Sequence, residues 1–310
     1  MTQPVELALD ALYQIILPIF LVFGVGFVVG RKTHLIGPAD KTLSKLVFYV
    51  FSPCLVFSSL ATSDVGTEEI GQIGLFALVM ILVTGAVAWA LARLLRLAPS
   101  ETGSLLLVSM FGNIGNYGLP LNELAFGQPA LDRAVIYFVA SSVLLFSLGV
   151  IVAARAKERT PGQALTRMVR VPVVHALWLA GLNRWGVLPV PGPILEAASL
   201  LAKGTVPLML LILGAQLSRV QIRGSWRLVS LATGVRLLLA PLAAVLLAGM
   251  MGLTGLTEQV SVVEASMPSA VYTIILAVEF DLASELTSSV VFITTFISPL
   301  TLIPLISYLR

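Results

Sequence analysis

Charged residues in this chain are spaced so that long apolar runs lie between them. Runs without Asp, Glu, Lys or Arg, or nearly so, cover residues 11–30, 46–63, 71–92, 102–122, 134–154, 237–257 and 286–309. A helix needs about 20 residues to cross the hydrocarbon core of a bilayer, and these runs have that length. Three more, 168–188, 194–218 and 258–280, are interrupted by an ionisable group or by Pro. Ten spans are therefore expected, with connections too short for an extramembrane domain. Composition agrees: 57% of residues are apolar and 11% charged, whereas a soluble domain carries about 25% charged residues. The single Cys excludes an internal disulfide framework or a Cys-rich metal site.

The distribution of basic residues gives the expected orientation. The first run is preceded by Glu6 and Asp10 and followed by Arg31 and Lys32, the reverse of a secretory signal peptide. By the positive-inside rule the N-terminus lies outside. Most of the 19 basic residues then fall in inside loops: Lys41, Lys45, Arg93, Arg96, Arg155, Lys157, Arg159, Arg167, Arg170, Arg219, Arg223 and Arg227 join the first pair. With ten spans the C-terminus is outside too. The net charge of +3 thus marks a cytoplasmic face rather than a nucleic-acid partner. His34 and His175 have no second ligand nearby, so no metal site is expected.

Prolines recur at matching places in two halves, 1–155 and 156–310. Pro53 in the second span corresponds to Pro207 in the seventh, and Pro120 in the fourth to Pro268 in the ninth. Five spans is an odd number, so the second half enters from the opposite side. Such inverted repeats are the architecture of many secondary transporters.

The fourth span carries Gly112, Gly115, Gly118 and Pro120 at mid-membrane depth. Each Gly costs about 1 kcal/mol in a helix interior, and Pro removes a hydrogen bond and clashes with the preceding turn. A half-helix ending near Gly112 is expected, then a second with Pro120 in its first turn. In the ninth span Ser266 caps and Pro268 opens the second half. Half-helix N-termini present unpaired N–H groups and about half a positive charge, which suits an anion. Pro53, Gly118 and Pro207 are read as helix breaks around the same cavity.

The segment Phe111-Gly-Asn-Ile-Gly-Asn-Tyr-Gly-Leu-Pro-Leu121 resembles the fourth-helix signature of the auxin efflux carrier family, through Asn113, Gly118, Pro120 and Leu121. Ala265-Ser-Met-Pro-Ser-Ala270 resembles its ninth-helix partner, and Arg236 with Pro241 its eighth-helix pattern. The resemblance implies an all-α integral membrane fold of ten helices shared with bile-acid/sodium symporters. Helices 4 and 9 are broken and cross in a core domain, which slides like an elevator against a scaffold that forms a homodimer interface. It also implies a small organic anion as substrate, auxin-like or malonate-like, crossing the inner membrane. Plant members often carry a long central loop; here residues 155–170 form a short one.

Candidate substrate contacts are Asn113, Asn116, Tyr117, Pro120, Ser266, Pro268, Ser269 and Tyr272. Charges inside a membrane are costly and mark function by default. Glu264 is expected to carry a coupling proton or to hold Na+, and Glu123 to sit in the first turn of a half-helix. Lys203 balances the anion or snorkels to the interface, and Arg236 pairs with Glu264 or Glu123. No cofactor beyond the coupling ion is expected. No helical His-Glu-x-x-His or Gly-x-Ser-x-Gly is present, so an enzyme is disfavoured. The competing readings are a sodium-coupled carrier resembling the bile-acid symporters and a channel or sensor on the same fold.

Overall fold

The computed structural model describes residues 3–32, 39–156 and 171–310. His34, Lys157, Arg159, Arg167, Arg170 and the expected start of the sixth span at Met168 lie outside them. Every regular element among the described residues is helical. In chain order these are α1 (3–32), α2 (39–62), α3 (Thr67–Leu94), α4 (Pro99–Met110), α5 (114–126) and α6 (Gln128–Arg155). There follow α7 (Pro172–Arg184), α8 (Gly192–Leu217), α9 (Trp226–Met250), α10 (Gly255–Ala265), α11 (Tyr272–Glu279), α12 (Ser284–Ile297) and α13 (Pro299–Leu309).

Six helices, α1, α2, α3, α6, α8 and α9, are long and apolar enough to cross a membrane. The pair α12 and α13, bent by 49° ahead of Pro299, makes a seventh if it is one span. The chain is therefore a multi-pass membrane protein by the length and apolarity of its helices. The remaining expected spans fall short for a physical reason. The fourth is divided into α4 and α5, and the ninth into α10 and α11, so each half is too short to cross alone. α7 has only 13 helical residues.

Prolines shape these helices in a way the sequence alone does not announce. Turns of π-helix at Ala11–Ile16, Val47–Phe51, Ile114–Gly118 and Val235–Leu239 each end just before a proline: Pro18, Pro53, Pro120 and Pro241. The pyrrolidine ring clashes with the carbonyl four residues back and cannot donate to it. A wider turn moves that carbonyl aside, and the helix continues. Pro53 is consequently not a break, since Thr42–Thr62 forms one span. Pro207 is not a break either: it lies inside the uninterrupted α8. Beside it, the Thr205 hydroxyl is 3.2 Å from the Phe51 carbonyl of α2, tying the two helices together at the proline level.

Packing divides the helices into two sets. α1 lies along α8, and α2 packs on both α7 and α8. The second set gathers α3 to α6 with α9 to α12, with α10 against α3, α6 and α9. The first set is joined by small residues. A Cβ at Gly26 would overlap the Leu211 carbonyl, and one at Gly214 the Phe23 carbonyl. This is the small-residue packing typical of membrane helices, where close backbone approach replaces the hydrophobic effect as the cohesive force. At the N-terminal ends of α3, α6 and α10, Arg133 chelates Glu69 (Nε–Oε1 2.6 Å, Nη2–Oε2 3.2 Å), and Thr257 donates to the same carboxylate.

Overpacking a tight contact costs about 1–3 kcal/mol. Gly26→Val is expected to lower the melting temperature of the purified protein in detergent. Gly24→Val, on the same helix with open space around it, is expected to leave it unchanged.

Candidate functional site

The two broken helices meet at their breaks. After Met110 the chain leaves α4 in extended conformation, and Gly112 pairs with Ser269 in an isolated antiparallel bridge. Asn113 N–H donates to the Pro268 carbonyl at 2.6 Å, and Ala270 N–H to the Phe111 carbonyl at 2.9 Å. Ser269 adds its hydroxyl to the Val108 carbonyl (2.8 Å) and receives the Thr294 hydroxyl oxygen on its own N–H (3.1 Å). Unpaired backbone groups inside a membrane would cost several kcal/mol each. The two breaks satisfy one another, as β-strands do.

The expected positions of the half-helix starts need correction. Helical geometry resumes at Ile114, so Gly118 is not a break and Pro120 lies inside α5 rather than at its opening, while Asn113 precedes the first turn. Pro268 belongs to the extended break, and α11 begins only at Tyr272. Ser266 is the residue after the last turn of α10, where its hydroxyl donates back to the Val262 carbonyl at 2.6 Å. It does not cap the following half. Because α5 starts early, Glu123 stands well past its first turn and is half-buried.

Arg236 holds the crossing from behind. It is 3% exposed, and its guanidinium donates to three backbone carbonyls: Nε to Met267 at 2.6 Å, Nη1 to Ser109 at 3.2 Å and Nη2 to Ala265 at 3.0 Å. Ser109 and Ala265 lie in the last turns of α4 and α10. The cation thus sits at two helix C-termini, whose partial charges are negative. Among the described residues it makes no ion pair with Glu264 or Glu123, contrary to the pairing expected from sequence. Gly112 has no side chain because a Cβ there would overlap Nη2 of Arg236.

Glu264 is fully buried, and its Oε1 accepts Asn122 Nδ2 at 3.0 Å. The same Asn122 amide donates to the Gly118 carbonyl at 3.0 Å. A Cβ at Gly118 would overlap the Glu264 carboxylate, so this glycine gives α5 its close approach to α10. Glu264 Oε2, Asn122 Oδ1 and the Ser261 hydroxyl have no hydrogen-bond partner among the described residues.

On another side of the crossing lies a cavity of about 230 Å³. Its walls come from both helix sets: Ser44, Phe48 and Ser52 of α2, Met209, Ile212 and Gln216 of α8, then Phe138, Ser141 and Phe146 of α6. The beginnings of α5 and α11 also line it, through Asn113 to Asn116 and through Ala270 to Tyr272. The first turn of any helix leaves N–H groups without intrahelical partners, so two positive helix ends face the cavity. Phe48 and Tyr272 each pack edge-on against Phe146, at 5.9 and 4.9 Å between ring centroids. Asn113 Nδ2, Ser141 Oγ and Gln216 Oε1 are buried without a hydrogen-bond partner among the described residues. No Asp, Glu, Lys or Arg among the described residues lines the cavity.

Of the residues singled out from sequence, Asn113, Asn116 and Tyr272 come together on this cavity. Tyr117, Pro120, Ser266 and Ser269 are buried in the crossing behind it. Tyr117 packs on Phe20, with its hydroxyl 3.3 Å from Ser298 Oγ. Lys203 is exposed on α8, away from the cavity walls. Sequence reasoning missed Asn122, Ser141 and Gln216. Each is a polar side chain inside an apolar run, which is the signal that was available.

Long apolar helices, a pair of broken helices crossing at mid-bundle and a cavity shared by two helix sets define a membrane transport protein. The chain belongs to the membrane transport protein family, the auxin efflux carrier-like group, which it matches over residues 11–144 and 184–306. It is 31% identical to an uncharacterized transporter of Methanothermobacter thermautotrophicus over 293 residues, 92% of this chain and 94% of that one. An uncharacterized transporter of Methanocaldococcus jannaschii is 28% identical over 263 residues, 82% of this chain and 85% of that one. Protein PIN-LIKES 7 of Arabidopsis thaliana is 29% identical over 117 residues, covering 35% of this chain and 29% of that protein. Family and relatives are transporters, not enzymes.

Gly118→Ala is expected to destabilise the protein by about 1–3 kcal/mol, because the added methyl displaces the Glu264 carboxylate. Made in a Glu264→Ala background, the same substitution should cost close to nothing. Equal losses of melting temperature in both backgrounds would show that the contact does not govern this glycine.

Proposed function

We propose that the protein is a secondary transporter of a small organic anion carrying one carboxylate on an apolar, ring-like body. The cavity carries this reading: two positive helix ends and the unpartnered amide of Asn113 face an otherwise aromatic and aliphatic space. A carboxylate can be held there by N–H donors alone, while Phe48, Phe138, Phe146 and Tyr272 cover the rest of the molecule. An auxin-like acid suits such walls better than a malonate-like one, whose second charge would meet apolar surface without a counter-ion.

The chain is read as ten spans in two inverted repeats, 1–155 and 156–310, in the inner membrane, with both termini outside. α1, α2, α7 and α8 form the scaffold, whose outer face carries a homodimer interface. The other helices form the moving core. The cavity lies where the two sets meet, so sliding the core would carry the anion past the scaffold, the elevator form of alternating access. The lining residues Ser44 and Gln216 lie at the helix ends next to the basic segments, which by the positive-inside rule makes this an inward-facing state.

Coupling is assigned to a proton on Glu264. A hydrogen on Oε2 supplies a donor in a cluster where this oxygen and Asn122 Oδ1 both lack one. The same oxygens make a sodium-coupled carrier, like the bile-acid symporters, the second reading.

Uptake into proteoliposomes tests the substrate site. Saturable uptake of an indole or phenyl monocarboxylate is expected, with Asn113→Ala losing at least tenfold in uptake at low substrate. Flux that never saturates and survives Asn113→Ala would indicate a channel instead.

Glu264→Gln tests the coupling. It is expected to abolish the dependence of uptake on a pH gradient while leaving exchange of internal for external substrate. Dependence on a sodium gradient at fixed pH would assign the carboxylate to Na+.

A further inference from the structure

A second concavity, separate from the anion cavity, lies where α3 ends and α4 begins. Its floor is apolar, built from Leu82, Leu106, Met110 and Val152, and it encloses about 790 Å³. Arg93, Arg96 and Arg155 stand on its rim. All three are exposed, and among the described residues none has a carboxylate within ion-pair distance. The Arg93 guanidinium lies 5.4 Å from the centre of the Trp89 ring, a cation–π contact at the level where interfacial tryptophans sit.

The N-terminus of α4 adds to the positive field. Pro99, Thr102 and Gly103 line the same groove, and the first turn of a helix carries partial positive charge. The one carboxylate on that turn, Glu101, is 3.2 Å from the Ala98 N–H and does not line the groove. Leu82 and Trp89 are half-exposed, so the groove is open on its flank, where lipid surrounds the bundle.

We propose that this groove binds one anionic phospholipid, with its phosphodiester on the three arginines and an acyl chain along the apolar floor. Charge selects the headgroup: three cations with no facing anion among the described residues favour a net negative lipid over a zwitterionic one, which brings its own cation. The floor selects a chain-bearing ligand over a free phosphate. Basic pockets between helices at the cytoplasmic surface are a recurrent way of holding anionic lipids. Because α3, α4 and α6 all contribute walls, an occupant bridges the helices that carry the first half of the crossing, and binding stabilises the fold.

The test is a titration of the purified full-length protein in detergent with dioleoyl phosphatidylglycerol, read by melting temperature and native mass spectrometry. A saturable rise in melting temperature with one retained lipid is expected, absent with dioleoyl phosphatidylcholine and with inorganic phosphate. Arg93→Gln/Arg155→Gln should raise the half-saturating lipid concentration at least tenfold, whereas Arg31→Gln/Arg227→Gln, with the same charge loss elsewhere, should not. If the first pair folds poorly, Ala86→Phe decides: Ala86 also lines the groove, and a ring there narrows it, keeps every arginine and should weaken lipid retention similarly. Undiminished phosphatidylglycerol binding in both groove variants, equal binding of phosphatidylcholine, or a matching response to inorganic phosphate would overturn the proposal.

Discussion

The structure depends on how Arg236 is spent. A guanidinium in the middle of a membrane protein is expensive, and its partners must repay desolvation. Here they are not carboxylates but three backbone carbonyls at the ends of α4 and α10 and in the break that follows. Two helices that stop at mid-bundle each leave orphan carbonyls and a negative dipole end. One fixed cation, on a helix that passes straight through, answers both. Its Nε and Nη donors reach several acceptors in one plane, which a lysine ammonium, a compact point charge, does not match.

The signs of the four helix ends at the crossing then follow. The negative ends of α4 and α10 are matched by Arg236, whereas the positive ends of α5 and α11 lie on the cavity without a protein anion among its lining residues. In the proposed function these two helix ends hold the anion, since no basic side chain among the described residues lines the cavity. Two glycines make the arrangement possible, each for a specific neighbour: Gly112 for the Arg236 guanidinium and Gly118 for the Glu264 carboxylate. Glu264 in turn is hydrogen-bonded by Asn122 and, among the described residues, makes no ion pair with Arg236.

Much of this was legible from residue order. Apolar runs located the long helices, and the Gly and Pro clusters located both breaks. Asn113, Asn116 and Tyr272 line one cavity, because residues flanking a break face the space it opens. The misplaced helix breaks share one cause: the sequence pattern treats proline as punctuation. Pro53 and Pro207 sit in continuous helices, the first behind a π turn. Pro268 lies within the break and not at the start of α11. Backbone hydrogen bonds can rearrange around a missing N–H, and a linear pattern does not reveal whether they do. Asn122 and Gln216 went unweighed because a single amide in an apolar run acquires meaning only from what it faces.

The sequence by itself determined that the chain lives in a bilayer, which stretches become helices and where two of them fail. Those properties are local: they rest on transfer of apolar side chains from water and on the conformational limits of Gly and Pro. Tertiary structure decided how the failures are repaired. It paired the two breaks through Gly112 and Ser269, gave Arg236 its carbonyls and Glu264 its amide, and gathered three exposed arginines around one groove. Each of these joins groups far apart in the chain, and their energies depend on distance and burial, which residue order does not contain.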